Sequence, residues 1–434
     1  MVNGRSLIID IEFMSYKPQI KMYKREQKFN YIVLGFFFQS VGYLLRAITN
    51  STYPMIILGL LAWYYILKGF FSYKLSLKSN LSGGYRSLLL FYLLLCVVMI
   101  IRGYLIDYSY QWISVQGMFN YHFLDKYYLL PYLMPLVCLI PWDSYKFNEY
   151  CKFSTWAAIA TVVTIILFWN DIVASSVKTM MGEEYGWEST GLNYAFYAPF
   201  VFTSLLVVYM KRKKWLWNLA GLASIILIYM ILARRGASLI YSILGVVSLY
   251  YWSKAKKKEL GILPKIGIVV IILAASSFVM NSSLFDYLFS RGIEDTRSGV
   301  DEALLSQMTD FDMIFGKGLN GRYYYPLLED DFLKGWRYGT ETGFYNIVLK
   351  GGYVMAFTYI LLLLIPAYKG IFKSHNILCN AGGFFILLSL FELYPFGWLE
   401  FSLKFLAIWM MVVLCMNPKV LNMSDLQIKQ QFFS

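Results

Sequence analysis

The chain has 434 residues, of which 58% are apolar and only 15% charged, and its mean hydropathy is +0.52. A soluble globular protein carries about 25% charged residues, so an ordinary soluble enzyme is excluded, and an aromatic content of 19% excludes disorder. At roughly 20 residues per span, a dozen spans use over half the chain, which reads as an all-α polytopic membrane protein.

Residues 1–30 hold no continuous apolar core, contain Asp10 and Glu12, and offer no small-residue cleavage site. They read as a cytoplasmic N-terminal arm whose Lys17, Lys21, Lys24, Arg25 and Lys28 lie near anionic lipid. Transmembrane helices 1–9 are expected within 31–280, at 31–48, 53–71, 87–101, 127–141, 153–169, 192–210, 215–233, 237–252 and 264–280. Pro131, Pro135 and Pro141 interrupt the fourth. Residues 281–340 form one long loop, rich in aromatics, Gly and both charge signs, that reads as folded. Helices 10–12 are expected within 341–416, at 341–365, 377–394 and 401–416, with 417–434 a cytoplasmic tail.

Twelve spans put both termini on one face. The loops of that face hold most of the Lys and Arg and few of the acidic residues, which makes it cytoplasmic by the positive-inside tendency. The net charge of +13 is thus a topology signal, and no nucleic acid partner is expected. The long loop then faces outward, where Arg291, Arg297, Lys317, Arg322, Lys334 and Arg337 stand out. Cys96, Cys138, Cys151, Cys379 and Cys415 form no CxxC and no metal-type spacing, so they read as buried thiols. His122 and His375 fall on opposite faces, and neither a metal nor a cofactor is expected.

Three constellations could carry chemistry. Arg234-Arg235-Gly236-Ala237 lies at the outer turn between the seventh and eighth spans. Snorkelling at a helix end accounts for such arginines; two planar, permanently charged guanidiniums also suit bidentate recognition of phosphate. In the long loop, Arg297 precedes Gly316-Lys317-Gly318, which lacks the strand and the Lys-Ser/Thr of a P-loop. Glu341 opens the tenth span, followed by Tyr345, Asn346 and Gly351-Gly352. A carboxylate there serves either as a general base or as an acid favouring a helix N-terminus. Glu392, Glu400 and Lys404 either line a cavity or lie near helix ends.

Together the three constellations resemble the O-antigen polymerase and O-antigen ligase superfamily of bacterial polysaccharide assembly. Those proteins have about a dozen spans, a late periplasmic loop, an Arg-Gly-Ala motif, an Arg ahead of Gly-x-Gly, and a His-Asn helix start with a later Gly. Arg235-Gly236-Ala237, Arg297 with Gly316 and Gly318, and Glu341 with Gly352 match these in turn. The ligases carry His where this chain has Glu341, a departure that favours a polymerase.

The resemblance implies a GT-C-like fold in the bacterial inner membrane with a periplasmic site. It implies a metal-independent, inverting transfer of growing glycan from undecaprenyl diphosphate to the next lipid-linked repeat unit. The implied roles are Glu341 as base, with Arg235 and Arg297, joined by Arg234 and Arg291, on the departing diphosphate. Tyr323, Tyr324, Tyr325, Trp336, Tyr345 and Asn346 would meet the glycan, although the loop aromatics equally suit packing of the loop itself. Partners would be undecaprenyl diphosphate-linked oligosaccharides, membrane lipids and a chain-length regulator. The competing readings are a ligase to lipid A-core and a flippase of lipid-linked sugars; the lack of an internal repeat counts against the latter.

Overall fold

The computed structural model describes residues 30–49, 51–72, 81–106, 123–125, 127–142, 144–172, 199–231, 235–255, 298–325, 335–340, 342–393 and 397–433. The arm up to residue 29 and the expected ninth span, 264–280, lie outside the described residues. Among those described, the chain is overwhelmingly helical, and its two strands are two residues long each.

Helices α1 (Tyr31–Thr49) and α2 (Tyr53–Ser72) form an antiparallel hairpin. A Cβ on Gly35 would sit 2.7 Å from the carbonyl oxygen of Ala62, so glycine permits the backbones to touch. Small residues of this kind let apolar helices associate by packing where lipid removes the hydrophobic drive. Helix α3 (Gly83–Ile106) outruns the expected 87–101 at both ends, anchored where the Tyr85 hydroxyl donates to Leu362 O at 2.6 Å.

The expected fourth span, 127–141, is corrected: one α-turn at Leu130–Leu133 passes into a 3-10 helix at Met134–Leu139. Pro131 and Pro135 each open a turn, where the missing N–H is tolerated, and a single continuous helix would need donors they lack. Helix α4 (Ser144–Leu167) follows. Over its described part the expected sixth span, 192–210, is also corrected, because an α-turn at Phe200–Thr203 gives way to turns through Met210.

Broken backbone among apolar helices must find other partners. Ser204 O accepts from Trp215 Nε1 at 2.8 Å and from Ser248 Oγ. Those donors belong to α5 (Arg212–Ile231) and α6 (Arg235–Ala255). Beside them the buried Asn218 side chain uses both its ends. Its Oδ1 accepts from Thr203 at 2.6 Å and Ser154 at 3.0 Å, and its Nδ2 donates to Thr155 Oγ1 and Lys214 O.

The segment after residue 297 carries α7 (Ser298–Ser306) and α8 (Asp310–Phe315), the latter started by a reciprocal Thr309–Asp312 cap. Strands β1 (Tyr323–Tyr324) and β2 (Trp336–Arg337) then pair antiparallel, with Tyr323 opposite Arg337 and Tyr324 opposite Trp336. Helices α9 (Gly343–Lys373), α10 (Ile377–Glu392) and α11 (Leu403–Met416) follow.

Every residue of α11 is buried, as expected of a helix that is apolar on all sides. Its one charge, Lys404, forms a buried ion pair with Glu392 at the end of α10, and its Nζ also lies 3.2 Å from the Tyr241 hydroxyl on α6. The final segment does not trail free. Helix α12 (Asp425–Phe432) docks through Asp425 Oδ1, which accepts from Ile377 N at 2.7 Å and from the Tyr209 hydroxyl. Phe432 packs edge-on to Phe147.

Helices α2, α3, α4, α5, α6 and α9 are long and apolar enough to cross a membrane. The described residues are therefore almost wholly helical, with several candidate spans. Helices α10 and α11, at 16 and 14 residues, are apolar but shorter.

Candidate functional site

The region that joins the second and third constellations lies where residues 298–325 and 335–340 meet the end of α3 and the first part of α9. Gly316 has φ 72°, and a Cβ there would sit 2.3 Å from the carbonyl carbon of Lys350. Gly352 has φ 71°, and a Cβ there would sit 2.1 Å from Ile314 O. Both positions demand a left-handed backbone and contact with another main chain, which only glycine supplies. The two glycines interlock, and Gly352 breaks the helical geometry inside α9 as they do so.

Main-chain bonds fix the joint. Lys317 N donates to Leu349 O at 2.7 Å, Gly318 N to Lys350 O at 3.0 Å, and Leu319 N to Met99 O at 2.9 Å. Three side chains add to it. The Lys350 ammonium, almost wholly buried, donates to Gly321 O at 2.9 Å, and Asn320 Nδ2 donates to Gly103 O at 3.3 Å. Arg102, near the end of α3, pairs with Asp312 of α8. The Gly-Lys-Gly turn is thus a structural wedge, with Lys317 Nζ directed to Arg322 O at 3.3 Å.

Above the wedge, the strand pairing sorts the aromatics onto two faces, because side chains alternate along a strand and opposed residues share a face. Tyr323 is fully buried with its hydroxyl donating to Gly339 O at 3.1 Å, so its ring offers no surface to a glycan. Tyr324 and Trp336, on the other face, are exposed and stand 5.5 Å apart with their rings steeply inclined. The Arg322 guanidinium lies 4.1 Å from the centre of the Trp336 ring. Tyr325 is half-buried, and Arg337 lies over its ring at 5.9 Å.

The start of α9 is tied to this hairpin. Asn346 Oδ1 accepts from Thr340 N at 2.7 Å while its Nδ2 donates to Thr340 O at 2.8 Å, so this amide clamps the approach to the helix. Tyr345 sits half-buried and edge-on to Phe344. Thr342 Oγ1 donates to Asp301 Oδ2 of α7 at 3.1 Å. On the opposite side, Phe344 N donates to Leu393 O at 3.0 Å, next to Glu392. Glu392 in turn reaches Tyr241 of α6 through Lys404.

Of the residues singled out in the sequence, Arg234, Arg291, Arg297 and Glu341 lie outside the described residues, and Arg235 is described only as the first residue of α6. The structure brings together Tyr323, Tyr324, Tyr325, Trp336, Tyr345 and Asn346 around one hairpin and one helix start. It also joins Glu392 and Lys404, which the sequence left open. Sequence reasoning gave no role to Lys350 or Arg337. A lysine inside the apolar run 344–350 was the available signal for the first, and an arginine four residues before Glu341 for the second.

Exposed rings beside guanidinium groups suit a ligand that offers both C–H faces and anionic oxygens. Against known proteins, no family model matches the chain, nor does any curated protein or solved structure.

Proposed function

We propose that the chain is a polysaccharide polymerase, a GT-C-like glycosyltransferase of about twelve spans acting at the periplasmic face of a bacterial inner membrane. In this reading the acceptor hydroxyl of a lipid-linked repeat unit attacks the anomeric carbon of the growing glycan. The bond from that carbon to the diphosphate oxygen breaks with inversion, and undecaprenyl diphosphate leaves. Glu341 takes the hydroxyl proton, and Arg235, Arg297 and their neighbours Arg234 and Arg291 neutralise the leaving group. Tyr324 and Trp336 are the rings with exposed surface for sugar.

The observation that supports this reading is the contact between α7 and the start of α9. Ser298 follows Arg297 and Thr342 follows Glu341, and the two elements meet at the Asp301–Thr342 hydrogen bond. The helices that follow the two constellations in sequence are thus in contact with each other.

Chain extension is the test. Glu341→Ala or Arg297→Ala should abolish it while the protein stays in the membrane, and full activity in both would remove the site assignment. Deleting the gene in its own host separates the alternatives. A polymerase leaves single repeats on lipid A-core, and a ligase leaves long polymer on its lipid carrier. A flippase leaves carrier-linked single repeats on the cytosolic leaflet.

A further inference from the structure

Arg337 faces inward. It stands opposite the buried Tyr323 in the strand pair and therefore shares its face, away from the exposed Tyr324 and Trp336. Its Nη1 is sealed from solvent and has no hydrogen-bond partner among the described residues. The Tyr325 ring, 5.9 Å away, is a neighbour of the guanidinium face. That contact leaves the buried Nη1 donor unused, and guanidinium N–H groups are strong donors to oxyanions. Arginine cannot shed its proton as a buried lysine can, so an inward guanidinium with an idle donor calls for an acceptor from outside the chain.

The group is also held firmly. Tyr325 N donates to Gly335 O at 2.7 Å, Tyr323 ties Gly339, and Asn346 ties Thr340, so both flanks of Arg337 are fixed. Gly299, two residues after Arg297, is close to the Tyr325 hydroxyl, which would lie 3.5 Å from a Cβ at that position. This face of the hairpin thus borders α7 on one side and the approach to α9 on the other.

We infer that Arg337 is a further anion-binding residue, whose inward guanidinium takes a phosphate oxygen of a lipid-linked diphosphate. The assignment rests on the polymerase reading, in which the diphosphate is the one anion that every donor carries, whatever its sugars. A preorganised guanidinium at this place holds the donor without reorganising as the leaving-group charge develops.

The test is a calorimetric titration of the purified full chain in detergent with farnesyl diphosphate, with farnesol and inorganic pyrophosphate as the other probes. The wild type should bind farnesyl diphosphate and not farnesol. Arg337→Gln should weaken binding roughly tenfold or more, the size of one lost charge-assisted hydrogen bond. Arg337→Lys, which keeps the charge and guards against a folding defect, should fall in between. Unchanged affinity in both variants overturns the role of Arg337 and leaves the polymerase reading standing. No binding of farnesyl diphosphate by the wild type overturns both. Pyrophosphate bound as tightly, with the same dependence on Arg337, overturns the lipid headgroup in favour of a soluble anion.

Discussion

Single atoms decide the joint between Gly316 and Gly352. An added methyl at either position meets backbone at 2.3 Å or 2.1 Å, and neither main chain can retreat without parting the wedge from α9. Gly352→Ala should therefore cost at least about 2 kcal/mol, from the left-handed backbone and the clash together. The readout is apparent melting temperature in detergent, and a wild-type value would disprove the interlock. The same scale governs Asn218. Replacing it with Ala leaves the hydroxyls of Ser154 and Thr203 without their shared acceptor, at about 1–3 kcal/mol. The glycines were visible in the sequence as a spacing; that they touch one another was not. A positive φ at each is compatible with a hundred separate turns, and only the third dimension pairs them.

At the scale of elements, continuous apolar runs without internal proline were easily read: α2, α10 and α11 fall within a few residues of their expected bounds. The failures share a cause. Hydropathy reports that a segment is buried, not that its backbone is regular, and 130–139 and 199–210 are buried yet broken. Their free carbonyls are served by side chains from elsewhere, such as Trp215 and Ser248, which no local pattern announces. The docking of α12 was equally hidden, because its polar composition resembles a solvated tail. Asp425→Ala removes the acceptor of both Ile377 N and the Tyr209 hydroxyl, and should expose the last helix to limited proteolysis under conditions where the wild type resists. Equal resistance would mean that Phe432 and its aromatic neighbours suffice.

For the whole molecule, the buried Glu392–Lys404 pair links α6, α10 and α11. Lys404→Met strands a buried carboxylate and should destabilise by about 3–5 kcal/mol, whereas adding Glu392→Gln should recover much of the loss. A double variant no more stable than the single would show that the pair is not the source of the effect. Topology is testable at this scale as well. All five native cysteines are buried, so a single introduced thiol reports without background. Lys419→Cys should react with an impermeant maleimide only from the cytoplasmic side, and Tyr324→Cys only from the opposite side. Labelling of both from one side would overturn the orientation argued from charge. Composition made the long apolar helices legible from the first, while the pairing of charges across three helices needed the fold.

The hairpin carries a consequence for diversity. Its mouth is closed by the bond from Tyr325 N to Gly335 O, and its stem is pinned from beneath by Tyr323, Asn346 and the glycine joint. Tyr325 and Gly335 are thus fastened to each other directly. The footing of the hairpin therefore tolerates exchange of the chain between Tyr325 and Gly335, in length or composition, because the bond between those two residues and the contacts beneath them carry it.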